Sequence, residues 1–184
     1  MKGDTSKGIR NLYSELGVEA YYRLHGEEYA NPHFPQVREL LRNNVHRIDY
    51  SHVLDFCCGG GEVSLVLREL GFDHSEGCDP YTQSLFEANI GRPCLSWSFQ
   101  DVIQGKLQGS YSAVICSFAM HLCPEKQLYP LVQALFRCAP QLVILTPHKR
   151  PELERLEGVE LAFEDVALTG RGKKVRGKGY GWGF

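Results

Sequence analysis

The sequence predicts an α/β fold, a three-layer α/β/α sandwich whose mostly parallel sheet ends in an antiparallel C-terminal hairpin. Three observations predict it. From His52 onward, short apolar runs alternate with helix-spaced segments, the pattern of parallel strands joined by crossover helices. The first of these runs passes through three glycines directly into an amphipathic segment, VLDFCCGGGEVSLVLRELG. Past Pro147, VELAFEDVAL and KVRGKGYGWGF flank a turn at GRGKK and read as two long strands paired as a hairpin.

In chain order, residues 4–47 carry two helix-spaced segments: Ile9, Leu12, Leu16 and Ala20, then Val37, Leu40, Leu41 and Val45. GEEYANPHFP, with two prolines, separates them as a loop. Strands are predicted at HVLDF, HSEGC, CLSW, SAVICSF and QLVILT. Helices are predicted at Glu62 to Leu70, Tyr81 to Asn89 and Glu125 to Cys138. Within the last, Pro130 lacks an N–H and is expected to kink or restart the helix. Right-handed crossovers place helices on both faces of the sheet. With no internal repeat or long linker, residues 1–184 are expected to form a single domain, 1–48 a helical segment able to move as a lid and 49–184 the core.

A chain of 184 residues, 43% of them hydrophobic, is able to bury a full core. The net charge of -2 and sequence pI near 6.4 provide no global pull toward phosphate backbones or anionic membranes, so a nucleic-acid partner would need a local patch. No run approaches the roughly 20 apolar residues of a membrane span, and MKGDTSKGIR is not followed by an apolar signal core. A soluble, cytoplasmic protein without a membrane partner is expected. The seven cysteines, at 57, 58, 78, 94, 116, 123 and 138, are odd in number and contain no CxxC pair. They read as buried thiols in a reducing compartment, with no metal site expected.

The glycines at 59, 60 and 61 allow backbone to approach a ligand, and the helix starting near Glu62 points its first N–H groups at the same place. A ligand-free tight connection is the competing reading. Asp79 ends the next predicted strand, eighteen residues beyond Gly61, about where a dinucleotide-type fold presents an acid to ribose hydroxyls. Asp79 followed by Pro80 is equally a good N-cap and first-turn pair for the helix after it.

DFCCGGG resembles the first motif of the class I S-adenosylmethionine-dependent methyltransferases, an acid followed by glycines at alternating positions. Asp55, Gly59 and Gly61 match it, and Cys57 stands where the pattern commonly has its first glycine. GCDPY resembles the second motif, which implies that Asp79, with Pro80, holds the cofactor ribose. SFQDV resembles the third, which implies that Asp101 receives the adenine amino group and that Gln100 and Val102 offer backbone contacts. SAVICSFAMHLCPEKQLYPLVQALFRCAPQLVILTPHK is similar to the family's fourth strand, its helix and fifth strand, with Ser117 at the cofactor. Across residues 50–184 the resemblance implies a seven-stranded sheet, S-adenosyl-L-methionine as cofactor and S-adenosyl-L-homocysteine as product. In many members the N-terminal segment closes over the cofactor, which implies that Tyr29, Asn31 and His33 line the site; a simple helix-helix connection is the favoured competing reading of YANPHFP.

Methyl transfer from a sulfonium relies on positioning, and an acid-base group is needed only when the acceptor loses a proton. His121, just past the fourth strand, is the candidate to deprotonate or orient an acceptor; helix capping or packing is its alternative role. No Asn-Pro-Pro-aromatic motif follows that strand, which argues against methylation of amide or base exocyclic nitrogens. Cys116 and Cys123 lack the Pro-Cys dipeptide of cytosine C5 methylation. A nicotinamide oxidoreductase would carry GxGxxG, absent from DFCCGGGEVS. The acceptor is expected to be a small molecule. Two alternatives stand beside it: RNA, held by Arg171, Lys173, Lys174, Arg176 and Lys178 with Tyr180 and Trp182 as stacking surfaces, a charge run for which a solvated hairpin turn is the favoured competing reading, or a non-catalytic cofactor-binding subunit.

Overall fold

The computed structural model describes residues 31–184. The expected helix through Ile9 to Ala20, and Tyr29, lie outside the described residues. The first described helix, α1 (Phe34–Asn43), starts inside the segment predicted as loop, with Pro35 in its first turn, where a missing N–H costs nothing. Its apolar face buries Val37, Leu40 and Leu41. Val45 falls beyond the helix end and is 47% exposed, so the expected fourth contact is not made.

Seven strands follow: β1 (Val53–Phe56), β2 (Ser75–Cys78), β3 (Cys94–Leu95), β4 (Ala113–Ser117), β5 (Leu142–Thr146), β6 (Val159–Leu168) and β7 (Lys174–Trp182). They form one sheet in the order β3-β2-β1-β4-β5-β7-β6. The first five are parallel, and β7 runs antiparallel to both β5 and β6. The order reverses between β1 and β4, the switch point at which open α/β sheets bind ligands beyond their carboxyl ends.

The strands are apolar on both faces because both are covered. Leu54, Phe56, Val114, Cys116, Leu142 and Ile144 share one core with Leu131, Val132 and Leu135 of α5 (Glu125–Cys138). The alternate residues Val53, Ala113, Ile115, Val143 and Leu145 face the other side. There they pack with α1 and with Val63, Val66 and Leu67 of α2 (Glu62–Glu69). A fully buried Leu or Phe contributes about 1.5–3 kcal/mol, so these two layers supply most of the driving force.

Three helices test the sequence expectations. α3 (Gln83–Ile90) buries Phe86, whose ring lies over Gly77 of β2 so closely that a Cβ there would meet it at 2.5 Å. α4 (Phe99–Ile103) was not anticipated. Its Ser98 cap accepts the Asp101 N–H while the Asp101 carboxylate accepts the Ser98 N–H, a reciprocal capping box. α5 neither breaks nor restarts at Pro130 but runs as one 14-residue element. The proline removes a single N–H from the second turn, and burial of Leu131, Val132 and Leu135 outweighs that loss. No described helix is long and apolar enough to cross a membrane.

Candidate active site

β1 ends in a turn from Cys57 to Gly61 that depends on left-handed backbone. Gly59 and Gly61 have φ of 55° and 86°, and a Cβ on Gly61 would lie 2.8 Å from Ile90 Cγ1. Cys57 adopts φ 57° without being glycine, at a cost of roughly 1–2 kcal/mol. Asn89 Nδ2 donates to the Gly60 carbonyl at 2.8 Å, tying the turn to α3.

Asp55 is fully buried beneath this turn. Its Oδ2 accepts the Ser64 N–H at 3.2 Å and the Ser64 hydroxyl at 2.7 Å, capping α2 from the strand because Gly61 has no side chain to do so. Its Oδ1 has no hydrogen-bond partner among the described residues. Burial, reinforced by repulsion from Glu62 and Asp79, pushes the Asp55 carboxyl well above its usual range. Burial raises Glu62 as well, although backbone N–H groups, including that of Asn31, oppose it.

Asp79 performs the capping task and still faces a cavity. Its Oδ1 accepts the N–H groups of Tyr81 at 2.8 Å and Thr82 at 3.2 Å, fixing the entry to α3. Its Oδ2 has one long bond, from the Gly59 N–H at 3.3 Å, leaving acceptor capacity on the cavity side. Burial raises its pKa.

The cavity has a volume of about 170 Å³ and mainly apolar walls at the carboxyl ends of the parallel strands. Cys57, Asp79 and Pro80, expected at the site, line it. So do Phe56, Tyr81, Trp97, Ser98, Phe99, Ala119 and Leu122, which sequence reasoning did not select. The available signal was positional, since each follows or ends one of the first four strands. Asp55, Gly59 and Gly61 shape the turn from behind. Ser117 is buried at the end of β4 and is not among the lining residues.

Gln100, Asp101 and Val102 belong to α4 and lie outside the lining set, whereas Ser98 and Phe99 are within it. The Val102 N–H is bonded to the Ser98 carbonyl at 3.0 Å, so it is already committed. Asp101 Oδ2 accepts from Ser98 at 3.0 Å and Oδ1 from Lys106 Nζ at 2.7 Å. The Lys106 contact, with the Ser98 bonds, lowers its pKa to about 2.

Beyond β4, Met120–Leu122 forms a 3-10 turn that separates this cavity from a second of about 400 Å³. His121 lines the second, with Glu125, Arg150 and Arg155. Its ring centroid is 4.2 Å from that of His148, which follows β5. His33 stacks on Phe118 at 5.2 Å, so the segment before α1 reaches the same end of the sheet, and Asn31 is buried beside it. Cys58 and Cys94 approach to 3.5 Å between sulfurs behind the glycine turn, with both thiols reduced. Among the described residues no cluster of His, Cys, Asp or Glu has metal-holding geometry.

Strand order, reversed seventh strand and glycine turn together define the class I methyltransferase fold. Solved structures agree. The chain superposes on magnesium protoporphyrin IX methyltransferase of Synechocystis, crystallised with bound SAM, with a TM-score of 0.61, 19% identity and 95% of each chain covered. It matches a TehB-like SAM-dependent methyltransferase of Corynebacterium glutamicum with a TM-score of 0.62, 14% identity, and 93% and 96% of the two chains covered. No protein-family model matches the chain. An uncharacterized protein of Schizosaccharomyces pombe is 34% identical over an alignment 191 positions long, gaps included, that spans 79% of this chain and 77% of that protein. The chain belongs to the same family as that fission-yeast protein.

Proposed function

We propose that the protein transfers a methyl group from S-adenosyl-L-methionine to a small-molecule acceptor. The observation that carries this reading is the position of Asp79, one oxygen uncommitted to α3, between a glycine turn and an aromatic-walled slot. The residues suit that cofactor. Trp97, Phe99 and Leu122 offer apolar surface for a purine, and Asp79 Oδ2 is an acceptor for ribose hydroxyls. Bound there, the cofactor supplies a methyl group already activated by a sulfonium charge.

The protein's own contribution is then placement and exclusion of water. Asp55 holds α2 against the glycine turn, so the first amides of that helix stay aimed at the site. His121, across the 120–122 turn and in contact with His148, is the candidate to take a proton from the acceptor. A small acceptor is favoured over RNA because the aromatics of the C-terminal hairpin do not accompany its basic residues. Tyr180 is 2% exposed with its hydroxyl donating to Glu154 at 2.9 Å, and Trp182 packs on Phe136 and Phe184.

Calorimetric titration with S-adenosylhomocysteine, S-adenosylmethionine and NAD tests the cofactor assignment. Micromolar binding of the first two and none of NAD is expected. Failure of both adenosyl compounds to bind would overturn the reading. His121→Ala is expected to lower kcat at least tenfold with cofactor affinity unchanged, once an acceptor is in hand.

A further inference from the structure

A third cavity, about 470 Å³ in volume, opens at the same end of the sheet as the candidate active site. Its walls come from three places: His33 before α1, His148 and Lys149 after β5, and Lys173, Lys174 and Arg176 around the start of β7. The antiparallel register puts them together, because Arg176 lies opposite Thr146, the last residue of β5. No acidic residue is among the lining residues described, although the chain as a whole is net negative.

Arg176 is answered by Glu164 at 3.6 Å. Among the described residues, Lys149, Lys173 and Lys174 form no ion pair with a carboxylate. Their field is felt within the cleft, where Lys173, after burial, lowers the His33 pKa. Like charges gathered around a concave surface repel one another, and in a low-dielectric recess the same field attracts a multiply charged anion. Thr169 adds a hydroxyl to the rim.

The cleft also meets the reaction site directly. His148, one of its walls, contacts His121, and His121 lies on the turn whose Ala119 and Leu122 wall the Asp79 cavity. A molecule anchored in the cleft therefore extends toward the 119–122 turn.

We propose that the cleft between His33, Lys149 and Lys173 to Arg176 binds a phosphate group of the methyl acceptor, making the substrate a phosphorylated small molecule. The proposal rests on the methyltransferase reading for what the acceptor is used for, and on the cleft alone for its charge. A small molecule and an RNA backbone both carry such a phosphate, and the size of the recess and the placement of the hairpin aromatics favour the former. The recess is of small-ligand size. Trp182 ends β7 eight residues beyond Lys174, roughly 26 Å along the strand at about 3.3 Å per residue, too far to stack a base whose phosphate sits in the cleft.

The test titrates the full chain with inorganic pyrophosphate, and separately with a 20-nucleotide single-stranded RNA, at two salt concentrations. S-adenosylhomocysteine binding is measured in every sample. Lys173→Glu and Lys174→Glu are each expected to weaken pyrophosphate binding at least tenfold. Arg137→Glu, the same charge reversal at the far end of α5, is expected to leave it within twofold. All three variants should bind S-adenosylhomocysteine as the unaltered protein does, which keeps failure of the cleft distinct from failure of the cofactor reading. Equal pyrophosphate binding by all variants, or equal loss in Arg137→Glu, would overturn the proposal. So would RNA binding tighter than pyrophosphate, steeply salt-dependent and lost in the two lysine variants, which would assign the cleft to nucleic acid.

Discussion

In the proposed site Asp79 divides its two oxygens, one to the start of α3 and one toward the ligand, and that division makes the roles separable. Asparagine retains a carbonyl oxygen for the Tyr81 and Thr82 amides while removing the charge that favours two hydroxyl donors. Asp79→Asn is therefore expected to cost less than about 1 kcal/mol of stability yet weaken S-adenosylhomocysteine binding tenfold or more. Asp79→Ala should lose both. Urea denaturation beside calorimetry checks the pair, and loss of stability alone in both variants would reduce Asp79 to a helix cap. Asp55 carries a different signature. Its folded pKa is raised by burial, as are those of Glu62 and Asp79, so folding favours the protonated forms. Their contribution is fully present below the usual carboxyl value of 3.8 for Asp and is lost as pH rises through the raised folded values. Asp101 and Glu69, lowered by Lys106 and Arg38, act in the opposite sense and lose their contribution as pH falls. Without cofactor, Asp55→Asn is expected to lose stability less steeply than the unaltered protein as pH rises above about 5, read from urea midpoints. An unchanged slope would mean that Asp55 ionises freely in the fold.

The elements show which local signals were strong enough to read. β1, β4 and β5 are legible as apolar runs because both of their faces are buried. The hairpin is legible because its strands are long and bounded by a glycine-rich turn. α4 is too short at five residues for any periodicity, and only the Ser98 to Asp101 spacing announces it. The restart allowed for at Pro130 does not occur, because the loss of one N–H is set against a whole buried helix face. The glycine turn is the element with least tolerance. At Gly61, alanine would take on both the left-handed φ and the contact with Ile90, so Gly61→Ala is expected to destabilise by about 2–4 kcal/mol. Gly172, also left-handed but with nothing near its Cβ, isolates the first of these costs, and Gly172→Ala should lose only about 1 kcal/mol. Chemical denaturation of the two variants separates backbone strain from crowding.

At the scale of the whole molecule, the sheet leaves β3 and β6 as its edges among the described strands. β3 is only two residues long, and β6 carries a bulge between Leu161 and Phe163 together with charged Glu160 and Glu164, features that discourage edge-to-edge pairing. The proposed ligand binding acts at this scale too, since the cavity beside Asp79 draws on four strand ends. Saturation with S-adenosylhomocysteine at one hundred times its Kd is expected to raise unfolding stability by about 2.7 kcal/mol, seen as an upward shift in Tm that NAD does not produce. The sequence by itself determined the α/β class, the strand succession, the glycine turn and the acid that faces it, because these depend on local backbone needs and on apolar runs contiguous in the chain. The tertiary structure alone decided the cavity walls and the basic cleft. Trp97, Phe99 and Leu122 come from separate loops, and Lys149 meets Lys174 only because β7 reverses against β5. Such groupings arise from strand order and register, which no local stretch of residues encodes.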